Sequence, residues 1–94
     1  MKTLEQTSTE ERVVGMLRAL GNPARFKIFQ ELRKNACQCG PLVEELPLAQ
    51  STVSEHLKRL REAGLIRGEI EGPATSYCID DENFEWLKRE IAEF

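Results

Sequence analysis

Residues 50–66 read QSTVSEHLKRLREAGLI, and their spacing decides the fold. Val53, Leu57 and Leu60 recur at i, i+4 and i+7, one stripe of an α-helix that Gly64 closes. With that stripe turned inward, a rotation of about 100° per residue puts Ser51, Glu55, Lys58 and Glu62 opposite the core. Thr52, Ser54, Arg59 and Arg61 fall on the flanks. The first turns carry short hydroxyl and amide side chains, Gln50, Ser51, Thr52 and Ser54, so the helix N-terminus can come close to bases and phosphates. Its free N–H groups and dipole favour anions there. Lys58, Arg59 and Arg61 add positive charge further along. The same pattern also suits an exposed helix whose first turn is merely polar. His56 sits nearer the core edge, where a histidine more often packs or caps than reads a base, with a phosphate contact also within reach.

Downstream of Gly64, LIRGEI (65–70) and TSYCI (75–79) are two strands around Glu71-Gly72-Pro73-Ala74, a hairpin with a four-residue turn. Asp80 or Asp81 caps a last helix whose Phe84, Leu87, Ile91 and Phe94 form one stripe. Upstream, Pro41 opens a brief helix (Leu42, Val43, Leu46) that Pro47 interrupts. The segment 36–39 is too short for a helix and precedes Gly40-Pro41, which marks it as a short strand. At the start, Ser8-Thr9-Glu10-Glu11 fits a capping box with Ser8 as N-cap. Val13, Val14, Leu17 and Leu20 follow at helical spacing. Gly21-Asn22-Pro23 then stops one helix and starts the next: Gly for a left-handed exit, Asn as N-cap, Pro as first helical residue. The second helix carries Ala24, Ile28, Phe29 and Leu32 on one face and ends near Asn35.

The order is helix, helix, short strand, helix, helix, hairpin, helix. It predicts one mainly α domain with a small β-wing over residues 1–94, a winged helix-turn-helix (α-α-β-α-α-β-β-α). In such a pair the second helix enters the DNA major groove.

Composition agrees with a single domain. The chain has 94 residues, 40% hydrophobic and 31% charged, enough for one thin core and no second lobe. A large catalytic pocket does not fit this size, and no Ser/His/Asp arrangement, phosphate loop or metal-hydrolase pair stands out, so no enzyme is expected. No stretch approaches the ~20 apolar residues of a membrane span, and the first twelve residues lack an apolar signal segment, which predicts a cytoplasmic protein. Net charge is −3, but it is segregated. Between Arg18 and Lys34 five bases face one acid; between Asp80 and Phe94 six acids face two bases. A positive face can therefore coexist with a negative total.

The run 50–66 resembles the core signature of the ArsR family of bacterial winged-helix repressors, and LGNPARFKI (20–28) is similar to that family's second-helix entry. The likeness extends from about Val13 to Asp80. It implies a homodimeric repressor that binds a palindromic DNA operator and leaves it when an inducer, usually a metal or metalloid ion, binds. The resemblance also carries DNA contact to Gln50, Ser51, Ser54 and His56. Thr52, Glu55, Lys58 and Arg59, on the same exposed surface, complete the expected DNA-binding set. One departure is Ala49, where a capping Ser is common.

Cys37-Gln38-Cys39 resembles the Cys-x-Cys of the arsenic-sensing branch, although there the pair lies within a helix and here Gly40-Pro41 follows directly. Residues two apart on a strand share a face. In winged helices the first strand commonly pairs with the second wing strand, which would bring Cys78 nearby. Three soft thiolates from Cys37, Cys39 and Cys78 would suit trivalent arsenic or antimony as inducer; no other cofactor is expected. The rival readings are small buried strand residues and thiol oxidation. Cys37 and Cys39 lie about 6.6 Å apart on an extended strand, so a disulfide is better formed with Cys78. Zinc fits less well: three cysteines leave a tetrahedral site one ligand short, and the single histidine is on the 50–63 helix.

The apolar stripes of the first and last helices exceed what so small a core can cover. They predict a two-fold dimer interface, with Trp86 at its border or capping the monomer core. A winged-helix module used only for protein contacts is the remaining alternative.

Overall fold

The computed structural model describes residues 5–34, 47–71 and 74–94. The expected strand at 36–39 and the helix opening at Pro41 lie outside these residues, as do Cys37 and Cys39. Within them the order is α1 (Ser8–Leu20), α2 (Pro23–Lys34), α3 (Gln50–Glu62), β1 (Ile66–Glu71), β2 (Ala74–Ile79) and α4 (Asp81–Ala92). Four helices and a two-stranded antiparallel sheet form the mainly α, winged arrangement expected.

Helix α1 starts one residue earlier than expected. Thr7, not Ser8, is the N-cap: its Oγ1 accepts from the Glu10 N–H (3.0 Å), and Glu10 Oε1 accepts from the Thr7 N–H (3.1 Å). The run TSTEE contains two overlapping capping boxes, and the first is the one used. The core face is also rotated. Val13, Met16 and Ala19 are buried, whereas Leu17 is 38% exposed. Apolar residues at 13, 14, 16, 17, 19 and 20 offer two overlapping stripes, and the monomer core takes only one.

Gly21 ends α1 without a left-handed residue (φ −76°, ψ 4°), because the chain passes directly into the Asn22 cap. Asn22 Oδ1 accepts from the N–H groups of Ala24 (2.9 Å) and Arg25 (3.1 Å), leaving Pro23 as the first helical residue. Ile28, Phe29 and Leu32 then point into the core as expected.

Gly64 supplies the left-handed exit from α3, with φ 84°. Its N–H donates to the Arg61 carbonyl (2.9 Å) and the Leu65 N–H to the Leu60 carbonyl (3.1 Å). This is a Schellman closure, with Leu60 and Leu65 both fully buried beside it. The strands run one residue further into the turn than expected, since Glu71 pairs with Ala74; the turn residues 72–73 lie outside the described residues. Asp80 caps α4 by accepting from the Asn83 N–H (3.1 Å).

The core joins Val13, Met16, Ile28, Phe29, Leu32, Val53, Leu57, Leu60, Leu65, Ile66, Ile79 and Leu87. Phe29 meets Phe84 edge-on with centroids 5.1 Å apart, which seats α4 on α2. Arg12 ties α1 to α4: its guanidinium lies 3.9 Å above the Trp86 ring and donates to Asn83 Oδ1 at 2.6 Å. Trp86 thus packs against the monomer core. No helix among the described residues is long and apolar enough to cross a membrane.

Candidate nucleic-acid interface

Helix α3 is held from one side only. Val53, Leu57 and Leu60 are all at most 3% exposed. Ser51, Thr52, Ser54, Glu55, Lys58, Arg59, Arg61 and Glu62 are exposed. The structure therefore brings six of the eight expected DNA-binding residues onto one solvent face. Gln50 is the first residue of the helix. His56 is half-buried, and its Nδ1 is buried with no hydrogen-bond partner among the described residues. That placement makes it an edge residue rather than part of the exposed row.

The electrostatics suit an anionic partner at the helix start. The first turn contains no acid, and the last contains Arg59 and Arg61. Ala49 has extended N-cap dihedrals (φ −62°, ψ 145°) and provides no side-chain acceptor to the first turn. The small hydroxyl side chains of Ser51, Thr52 and Ser54 leave that end accessible. Arg59 Nε pairs with Glu55 Oε1 at 3.3 Å on the exposed surface, which orients the guanidinium along the helix.

Cys78 lies on β2 opposite Arg67, at the base of the wing. It is 3% exposed, yet it is not part of the contiguous core. Its sulfur is disulfide-bonded. A pocket of about 310 Å³ opens beside it, bordered by Leu32, Arg33, Arg67, Phe84 and Lys88. Among the described residues no group of three His, Cys, Asp or Glu could hold a metal ion; Cys37 and Cys39 lie outside them. The rim around Cys78, where Arg33, Arg67 and Lys88 alternate with Asp81 and Glu85 beside Phe84, escaped sequence reasoning because its residues come from separate elements.

An exposed polar helix backed by α1 and α2 and flanked by a two-stranded wing defines a DNA-binding regulator of the winged helix-turn-helix class. Residues 20–69 match the family model of a helix-turn-helix domain. An HTH-type transcriptional regulator of Methanocaldococcus jannaschii is 30% identical over 84 residues, spanning 88% of this chain and 94% of its own. CmtR of Mycobacterium tuberculosis is 35% identical over 84 residues, 89% of this chain and 69% of its own. The NMR structure of that cadmium metal sensor superposes with a TM-score of 0.62 at 34% identity, covering 87% of this chain and 81% of that one. An ArsR-like transcriptional regulator from Rhodococcus sp. RHA1 superposes with a TM-score of 0.83 at 21% identity, over 93% and 82% of the two chains. The chain belongs to the ArsR family of winged helix-turn-helix transcriptional regulators, as its 50–66 run implied.

Proposed function

We propose that this regulator is a homodimeric repressor that a thiophilic ion, trivalent arsenic or antimony, releases from its operator. The observation that carries the DNA half is the exposed row of α3, with hydroxyl side chains first and cations after. In this reading Gln50, Ser51, Thr52, Ser54 and Glu55 approach base edges, while Lys58, Arg59 and the edge residue His56 meet phosphates. The inducer half rests on Cys78, buried where the wing meets α2 and α4. Once reduced, its sulfur offers one soft ligand, and Cys37 and Cys39 supply the other two. With arsenite or antimonite as the donor, three thiol protons and the three hydroxides on the ion would leave as three waters while three bonds to sulfur form. An ion drawing these residues together shifts α3 against its two-fold mate and spoils the half-site spacing.

A cadmium sensor among the relatives supports ion sensing as a class, while the soft three-sulfur set favours a pyramidal metalloid here. A second reading is favoured by one observation: Cys78 is disulfide-bonded. Here oxidation itself is the signal. Hydrogen peroxide takes two electrons from two thiols, leaving one disulfide and two waters.

The test is an operator-bound, reduced sample titrated separately with arsenite, antimonite, zinc, cadmium and hydrogen peroxide. Arsenite should weaken the complex about 150-fold, equivalent to about 3 kcal/mol of coupling. The Cys78→Ser variant should bind DNA normally and ignore arsenite. A wild type that ignores arsenite and antimonite but responds to peroxide overturns the metalloid reading in favour of the redox one.

A further inference from the structure

Helices α1, α2 and α3 meet at an open groove of about 500 Å³, and Cys78 is not among the described residues that line it. Gly15, Arg18 and Ala19 line it from α1, Arg25 from α2, and Arg59 and Ala63 from α3. Three of these six residues are the smallest available, and a Cβ built on Gly15 would meet nothing within 4 Å. The other three are arginines. Glu62 is the one acid among the described lining residues, so the groove carries an excess of two positive charges.

Arg25 is the decisive residue. Its Nε is buried and has no hydrogen-bond partner among the described residues. A permanently charged group with a desolvated N–H and no acceptor is costly, and native structures generally provide the acceptor. The Arg25 backbone is anchored in the first turn of α2, where its N–H donates to Asn22 Oδ1 at 3.1 Å. Arg59 is braced by Glu55, which does not line the groove. Planar guanidinium forks match the oxygens of a tetrahedral oxyanion, and the groove keeps a positive excess even with Arg59 paired to Glu55, which favours an anion.

We propose that this groove is a phosphate-binding site anchored by Arg25, with Arg18 and Arg59 closing on the same group. Arg59 belongs to the row Thr52, Glu55, Arg59, Glu62 along α3, so the groove continues the exposed face of the candidate recognition helix. The phosphate therefore comes either from a DNA backbone flanking the reading site or from a free phosphate in solution. The inference is independent of the inducer, and its first arm needs no DNA.

The full chain, free of DNA, is titrated with inorganic phosphate while the arginine Nε–H resonances are followed by ¹⁵N NMR. Operator affinity is measured in parallel against salt. A free-phosphate site gives a saturable shift of the Arg25 resonance, and Arg18→Gln weakens it. A backbone-phosphate site gives no such shift, but Arg25→Gln lowers the slope of log K against log [salt] by about 0.9. Either result upholds the site and names its source. A circular dichroism melt checks that Arg25→Gln is folded; if it is not, the exposed Arg18→Gln substitution takes its place in the salt series. No saturable shift in the wild type, together with an unchanged salt slope in the folded variants, overturns the proposal.

Discussion

At Gly64 a single backbone angle, φ 84°, lets the chain leave α3 and enter the wing. An alanine there would adopt a left-handed conformation, at a cost of about 1–2 kcal/mol. Its Cβ would also meet Asn83 Nδ2 at 3.3 Å and Met16 Cε at 3.6 Å. That amide is already committed, because it donates to the Gly64 carbonyl at 2.9 Å. Gly64→Ala should therefore lower the urea midpoint by an amount worth about 2 kcal/mol, with the slope m unchanged. On the exposed side of the same helix, Lys58 and Ser54 should separate the two kinds of DNA contact. Lys58→Ala should weaken binding to all sequences alike and lower the salt slope by about 0.9. Ser54→Ala should leave that slope alone and change which operator is preferred. A Lys58 variant that alters preference without moving the slope would reverse these roles.

Helix α3 begins without the side-chain cap that its neighbours have. Thr7, Asn22 and Asp80 each accept a hydrogen bond from the first turn of their helix, whereas Ala49 cannot. Its dihedrals already suit an N-cap, so Ala49→Ser should stabilise the fold by about 1 kcal/mol, read as a raised urea midpoint. The new hydroxyl would compete for N–H groups proposed to face DNA, so operator affinity should not rise with stability. Elements of this kind were legible from sequence where a single pattern stood alone. Val53, Leu57 and Leu60 are the only apolar side chains between residues 50 and 62, and α3 is oriented as their spacing requires. Where two patterns overlapped, the chain chose between them on tertiary grounds. The capping box at TSTEE moved by one residue, and α1 turned Met16 and Ala19 inward instead of Leu17. The groove around Arg25 was visible only as a surplus of charge between residues 18 and 34. Its closure depends on three helices, and no local spacing encodes that.

The molecule as a whole separates both its charge and its apolar surface. Acids concentrate in α4 and bases in α2; among the described residues the large exposed hydrophobic side chains are Leu17 on α1, Phe26 on α2, Ile91 on α4 and Phe94 just beyond it. Leu17 and Ile91 are each 38% exposed and Phe94 is 83% exposed. Helices α1 and α4 already adjoin through Arg12, Asn83 and Trp86, so a second copy could cover both at once. A standard interface buries about 800 Å² per partner. That is a modest share of the 6665 Å² that the monomer exposes, and four aliphatic and aromatic stripes related by a two-fold could supply it. Such a dimer would set two copies of α3 about 34 Å apart, one turn of the DNA duplex. The double substitution Leu17→Glu, Ile91→Glu places charge in the proposed seam while leaving the buried core residues untouched. Sedimentation should then show two chains for the wild type at micromolar concentration and one for the variant. The variant should keep its helical content and lose most of its preference for a palindromic operator, because a single half-site contact remains. A wild type that sediments as one chain at that concentration would overturn this assembly, and the half-site geometry with it.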